Sequence, residues 1–148
     1  MPLILVASDA PSVRAEVISA VGGPDTEILE VRSGPAVTLA VEEYETDLVV
    51  VDLQMGNMGG MAVCLDLRLE ESYGRIPHVP VLMLLDRRPD VFMARRSGAE
   101  GWLVKPLDPR RIRRATTTLL DGGHFHDESF APLPAMVGPA PAGDDPRG

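Results

Sequence analysis

Short runs of aliphatic residues alternate along the chain with longer segments in which apolar residues recur every three or four positions. The aliphatic runs cover residues 3–7, 27–31, 48–51, 79–84 and 101–104. Runs of this length predict strands, and the periodic segments between and after them predict five helices. Continuous aliphatic runs are typical of parallel strands covered on both faces, which need crossover connections. The pattern therefore predicts one α/β domain built on a doubly wound, five-stranded parallel sheet.

The later helices carry the clearest sequence signals. In the third, Met61, Leu65 and Leu69 share a face, as the apolar stripe of a surface helix does. A fourth is expected over about residues 89–97. Asp108 is suited to cap the fifth, which starts at the proline that follows it.

The periodic pattern stops near residue 122, and five prolines punctuate a segment rich in alanine and glycine. We expect one folded domain over residues 1–122 and a largely disordered tail over residues 123–148. The tail is too short for a second domain of usual size, so the first domain is expected to act by surface contact. The imidazoles of His124 and His126 lack companion ligands and are interpreted as surface residues. Cys64, the only cysteine, is expected to be a buried apolar side chain.

Charge and hydropathy limit the partners. The chain has no apolar stretch of the roughly 18 residues that a membrane helix needs, so we expect a soluble, cytoplasmic protein with no direct membrane insertion. The net charge of -8 argues against nucleic acid as the main partner. Residues 87–114 nevertheless carry nine basic and three acidic side chains, with the arginines in four adjacent pairs: Arg87-Arg88, Arg95-Arg96, Arg110-Arg111 and Arg113-Arg114. This block is either a set of solvated helix faces or a docking surface for an acidic protein.

Polar groups converge where the strands end. In an open parallel sheet, ligands bind at the carboxyl ends of the strands. The first strand leaves Asp9 there, the third Asp52, the fourth Asp86 and the fifth Lys105, the only lysine in the chain. A carboxylate nucleophile can form an acyl phosphate, Mg²⁺ prefers one or two carboxylates, and an ammonium can neutralise a transferred phosphoryl group. These groups predict Asp52 as nucleophile, Asp9 as metal ligand and Lys105 as counter-charge.

Three stretches then carry a family resemblance: PSVR after the first strand, VVVDLQMGNMGG at the third and SGAEGWLVKP at the fifth. Over about residues 2–121 the sequence resembles the receiver domain of bacterial two-component response regulators, in particular single-domain chemotaxis regulators. The resemblance implies a flavodoxin-like receiver fold of strand order 2-1-3-4-5 and phosphorylation at Asp52. It also implies Mg²⁺ held by Asp9, Asp52 and the backbone carbonyl of Gln54, and a cis bond between Lys105 and Pro106.

The sequence departs from the family at three positions, Ser8, Leu85 and Gly56, and matches it at Trp102. Ser8 stands where the family has the first of two adjacent acids, which should weaken cation binding. Leu85 replaces a Thr or Ser whose hydroxyl contacts the phosphoryl group, so the usual hydrogen-bond switch cannot operate. Trp102 occupies the family's mobile aromatic position, and we interpret it as a packed residue because its partner hydroxyl is absent. Gly56 replaces a proline, which should loosen the loop after Asp52.

Two functions remain open. The first is a stand-alone receiver in a phosphorelay, phosphorylated on Asp52 by a histidine kinase or another phosphodonor and acting through its fourth and fifth helices. The second is a degenerate receiver that serves as a phosphorylation-independent interaction module or as an accessory subunit of a larger assembly. The same helices could serve a homodimer. We do not expect an enzyme, since Gln54 stands where a phosphatase-type hydrolase would need an acid.

Overall fold

The computed structural model describes residues 1–128 of the 148-residue chain. Its strands are β1 (Leu3–Ala7), β2 (Glu27–Val31), β3 (Leu48–Asp52), β4 (Val81–Leu85), β5 (Gly101–Val104) and β6 (Phe125–His126). Its helices are α1 (Pro11–Val21), α2 (Gly34–Glu43), α3 (Gly60–Ser72), α4 (Val91–Ser97) and α5 (Pro109–Leu120), with a short 3-10 turn at Arg88–Asp90. Within residues 1–128, no helix combines the length and apolar character that crossing a membrane requires.

All strands pair in parallel, in the order β2-β1-β3-β4-β5-β6. The α/β class, the doubly wound sheet and the 2-1-3-4-5 order are confirmed. Within residues 1–128 the sheet has a sixth strand in addition to the five predicted, because Phe125–His126 pairs with β5. A two-residue strand in a polar segment has neither an aliphatic run nor an alternating pattern, and so the sequence did not reveal it.

The sixth strand also extends the packed region beyond residue 122, the predicted end of the domain. Phe125 packs against the core beside α5, and Asp127 is only 3% exposed. Residues 123–128 therefore belong to the fold and not to the expected tail. The rest of that tail, residues 129–148, lies outside the described residues.

The sheet separates two apolar layers. Because successive side chains of a strand point to opposite faces, Val49 and Val51 face α2, α3 and α4, whereas Leu48 and Val50 face α1 and α5. Every residue of β3 and β4 is buried, which explains their unbroken aliphatic sequences. Asp52, at the end of β3, is the only charged residue in these two buried strands.

The helices mostly follow their sequence signals. Asp108 caps α5 by accepting a 2.9 Å hydrogen bond from the backbone N–H of Arg110. Cys64 is fully buried on α3, and burial raises the pKa of its thiol, as expected for a packing residue. Leu65 and Leu69, however, are 46% and 49% exposed, since the buried face of α3 is formed by neighbouring positions. Apolar residues occur on more than one face of α3, so periodicity alone could not show which face is buried.

Candidate functional site

Asp52 and Lys105 meet at the carboxyl edge of the sheet. Asp52 is the last residue of β3 and is 2% exposed, and Lys105 directly follows β5. The Lys105 Nζ lies 2.9 Å from Asp52 Oδ1 and 2.9 Å from Asp86 Oδ1. The sequence placed Asp86 only near this edge, and the structure puts it in direct contact with the ammonium.

The two carboxylates keep this ammonium charged. Burial lowers the pKa of Lys105, but its hydrogen bonds to Asp52 and Asp86 and the charges of these groups outweigh burial, so that the pKa is raised. A positive charge therefore faces the carboxylate of Asp52. The peptide bond between Lys105 and Pro106 is cis, as the family resemblance implied.

Ser8 holds the second oxygen of Asp52. Its buried hydroxyl donates a 2.9 Å hydrogen bond to Asp52 Oδ2 and accepts a 3.1 Å bond from the backbone N–H of Ala10. Both carboxylate oxygens of Asp52 thus have a donor within the protein. A buried carboxylate satisfied in this way is far less costly than an unpaired one.

Asp9 is exposed and is tied to the loop after β3. Its Oδ2 accepts a 3.0 Å hydrogen bond from the backbone N–H of Gly56. Proline has no N–H, so a proline at position 56 could not make this bond. Gly56, which is predicted to loosen this loop, therefore also donates the hydrogen bond that connects the loop to Asp9.

Arg14 supports the loop that carries Ser8 and Asp9, a role that the sequence did not show. Its side chain is 8% exposed; Nη1 donates a 2.5 Å hydrogen bond to the carbonyl oxygen of Ser8, and Nε pairs with Glu30 at 3.1 Å. The sequence shows only a basic residue beside Val13 in the first turn of α1, and this pattern reveals neither its burial nor the group that it contacts.

Gly60 lets the start of α3 pack directly against the site. A Cβ added there would lie 2.8 Å from the carbonyl oxygen of Asp52 and 3.1 Å from the Cα of Leu53. Both neighbours are backbone atoms that cannot move without shifting β3. The glycine-rich sequence after Asp52 therefore fixes the close approach of helix and strand.

The residues implied for Mg²⁺ form a reduced ligand set. Asp9 and Gln54 are exposed, whereas Asp52 is buried with Ser8 on one oxygen. Among residues 1–128, no group of three or more His, Cys, Asp or Glu side chains is placed to hold a metal. Two carboxylates and a carbonyl still fit the preference of Mg²⁺ for one or two carboxylates and several waters. The donor set therefore suits a hydrated cation held by fewer charges than usual.

The two residues at the positions of the family's switch, Leu85 and Trp102, are packed into the core. Leu85 is fully buried, and Trp102 is 1% exposed. The indole of Trp102 stacks on the ring of His126, with centroids 4.0 Å apart and planes 4° apart, and the Arg95 guanidinium lies 5.1 Å from the indole centroid. The interpretation of Trp102 as a packed residue agrees with this burial.

The predicted arginine surface divides into two groups. Arg111 pairs with Asp127 at 3.2 Å, and Arg95 lies over Trp102. Four others are exposed and take part in no ion pair with another residue of the described range: Arg96, Arg110, Arg113 and Arg114. These four leave unneutralised positive charge on α4 and α5.

A family profile for the response regulator receiver domain matches residues 4–117, most of the chain. The chain belongs to this receiver family. Over 111 residues the receiver is 31% identical to the DNA-binding response regulator MtrA of Mycolicibacterium smegmatis, covering 74% of this chain and 46% of MtrA. This receiver therefore spans about half the length of that relative. It is also 32% identical over 123 residues to an uncharacterized response regulatory protein of Mycobacterium tuberculosis, covering 79% of this chain and 90% of that protein.

Solved structures show the same receiver fold. The chemotaxis response regulator CheY4 of Vibrio cholerae aligns with a TM-score of 0.70 at 24% identity, covering 81% of this chain and 98% of CheY4. A LuxR-family response regulator from Aurantimonas aligns with a TM-score of 0.75 at 21% identity, covering 87% and 91% of the two chains. The receiver is a module of two-component signalling, and receivers of this family interact with histidine kinases.

Proposed function

We propose that this receiver accepts a phosphoryl group on Asp52 and acts through protein contacts of its α4-β5-α5 face. The observation that carries the proposal is the 2.9 Å contact between Lys105 Nζ and Asp52 Oδ1 at the buried end of β3. A carboxylate with an ammonium beside it has both the nucleophile and the counter-charge that phosphoryl transfer to an aspartate needs. The phosphodonor would be a histidine kinase or a small phosphorylated compound.

In the transfer step, one carboxylate oxygen of Asp52 bonds to phosphorus as the bond from phosphorus to the leaving group breaks. The leaving group keeps the electron pair, and the product is an acyl phosphate on Asp52. Lys105 neutralises charge on the phosphoryl oxygens, while its contact with Asp86 retains the ammonium at the site. A Mg²⁺ ion held by Asp9, Asp52 and the Gln54 carbonyl would supply further charge neutralisation.

The signal is proposed to leave through the face formed by α4, β5 and α5. The exposed arginines of α4 and α5 give this face a positive charge within an acidic chain. Such a surface favours an acidic protein partner and speeds its approach. DNA binding belongs to MtrA by its name, and the net charge of -8 argues against nucleic acid as the main partner of this receiver.

A second candidate function is that of a phosphorylation-independent interaction module. Ser8 already satisfies the Asp52 oxygen that would otherwise be free, and Leu85 offers no hydroxyl to a phosphoryl group. In that case the arginines of α4 and α5 would bind a partner constitutively. Affinity purification should then recover the same partner with the wild type and with Asp52→Asn.

Calorimetric titration with beryllofluoride and Mg²⁺ distinguishes the phosphoacceptor from the phosphorylation-independent module. Its readout does not depend on movement of Trp102. The phosphoacceptor proposal predicts saturable binding to the wild type and none to Asp52→Asn. The isosteric amide keeps the shape of the site but removes the ligand that beryllium needs. Absence of binding to the wild type would contradict the phosphoacceptor proposal and favour the module.

A further inference from the structure

The outer edge of β5 is closed by residues near the end of the described chain. The backbone N–H of Phe125 donates to the carbonyl of Glu100 at 3.1 Å, and that of Asp127 donates to the carbonyl of Trp102 at 3.2 Å. Further along, the Val104 N–H donates to the Asp127 carboxylate at 2.9 Å. A side-chain oxygen here takes the place that a strand carbonyl would occupy.

Side chains of the same segment cover β5. His126 stacks on Trp102, and Phe125 packs against the core beside α5. Asp127, which is 3% exposed, receives the Arg111 guanidinium at 3.2 Å on the oxygen that also binds Val104. The segment is therefore held by three kinds of contact: edge hydrogen bonds, a ring stack and a buried ion pair.

The pairing between this segment and β5 is short for a permanently paired strand. On this edge, only Phe125 and His126 among residues 1–128 pair with β5. Short pairings contribute little stability of their own, and edge segments open locally while the core stays folded. An unpaired sheet edge is in turn a template for an extended segment of another chain. The contacts seen within the chain show what such a segment must carry.

We propose that the β5 edge is a docking site for an extended protein segment bearing an aromatic or imidazole ring followed by a carboxylate. Residues 124–128, here called the strap, occupy this site within the chain and so are autoinhibitory. A partner segment would run parallel to β5, stack its ring on Trp102 and place its carboxylate between the Val104 N–H and Arg111. The proposal rests on the proposed function only in taking the α4-β5-α5 face as the output face.

Amide hydrogen exchange on the full chain tests whether the strap opens. Val104, held by the strap, is compared with Val50 in the centre of the sheet. We expect Val104 to exchange faster than Val50 in the wild type, and Asp127→Ala to accelerate Val104 about tenfold or more because a hydrogen bond to a charged group is lost. Val50 should not change. Asp121→Ala, which removes the same charge from an exposed site, should affect neither amide.

Exchange of Val104 at the Val50 rate in the wild type would overturn the proposal, because the strap would then be a permanent strand. Quenching of Trp102, the only tryptophan, gives a second readout. In the double variant His126→Ala, Asp127→Ala we expect acrylamide to reach Trp102 more readily. Unchanged quenching together with unchanged Val104 exchange in this variant would also overturn the proposal.

A synthetic peptide tests the docking site directly. The peptide GHFHDE, which copies residues 123–128, is added at millimolar concentration to the double variant. We expect it to restore protection of Val104 and Trp102, and a peptide with alanine in place of its aspartate to fail. No protection by GHFHDE would overturn the docking site. Asp52→Asn should leave these results unchanged, so failure here is distinct from failure of beryllofluoride binding.

Discussion

The Ser8 hydroxyl donates a 2.9 Å hydrogen bond to Asp52 Oδ2, at a position where the receiver family has a carboxylate. The hydroxyl satisfies a buried oxygen without adding charge. Two adjacent acids would need a cation to offset their repulsion, whereas this pair needs none. The substitution at position 8 therefore stabilises the site in the absence of a metal, at the expense of cation affinity.

Replacing Ser8 with aspartate should reverse this balance. Ser8→Asp places a second buried carboxylate beside Asp52, and we expect a loss of about 3 kcal/mol in the free energy of unfolding without divalent cations. Added Mg²⁺ should recover much of this loss, seen as a rise in Tm with Mg²⁺ that is far smaller in the wild type. Ser8→Ala, the control, should lose stability without becoming dependent on Mg²⁺. A Tm of Ser8→Asp that Mg²⁺ leaves unchanged would refute this explanation of the serine.

The contact between Lys105 and Asp52 should appear as a coupling energy. Lys105→Met leaves the buried Asp52 carboxylate with only Ser8 as a partner, so we expect a loss of about 3 kcal/mol in the free energy of unfolding. Asp52→Asn in the Lys105→Met background should recover part of that loss, since it removes the unpaired charge. Urea unfolding of the two single variants and the double variant measures the coupling. Additive single effects would mean that the two side chains do not interact in solution.

Gly56 offers a matched pair of substitutions for Asp9. Gly56→Pro removes the N–H that holds the Asp9 carboxylate, and Gly56→Ala keeps it; the alanine Cβ meets open space. We expect Gly56→Pro to free Asp9 and to raise Mg²⁺ affinity several-fold, because the cation no longer competes with a hydrogen bond of about 1 kcal/mol. Gly56→Ala should bind Mg²⁺ like the wild type. Calorimetry measures both, and equal affinities would show that the Gly56 bond does not compete with the cation.

Acidification should loosen the strap. Burial and the nearby charges of Arg95 and His124 lower the pKa of His126, although Glu128 opposes them. The open strap, in which the His126 pKa returns to about 6.5, therefore binds protons more readily than the closed one. Quenching of Trp102 should accordingly increase as the pH falls below this value. His126→Phe keeps a ring on Trp102 but cannot titrate, and a similar increase in that variant would show that another group is responsible.

The sequence predicted the features that leave a local signal, namely runs of aliphatic residues and polar residues at the ends of strands. The aliphatic runs predicted the first five strands, and the carboxyl-edge rule brought Asp52 and Lys105 together. It did not predict β6, because two residues carry no periodic signal. Nor did it show that Arg14 holds the Ser8 carbonyl or that Asp127 replaces a strand carbonyl, since these contacts depend on distances across the fold.

Intact-mass measurement after incubation with a small phosphodonor and Mg²⁺ tests the central claim most directly, because the claim is that Asp52 accepts a phosphoryl group. We predict that the wild type gains one phosphoryl group, that peptide mapping places it on Asp52, and that Asp52→Asn gains none. Lys105→Met should react more slowly, since the transferred charge loses its ammonium. A wild type that stays unmodified under these conditions, or that is modified equally in Asp52→Asn, would contradict the account.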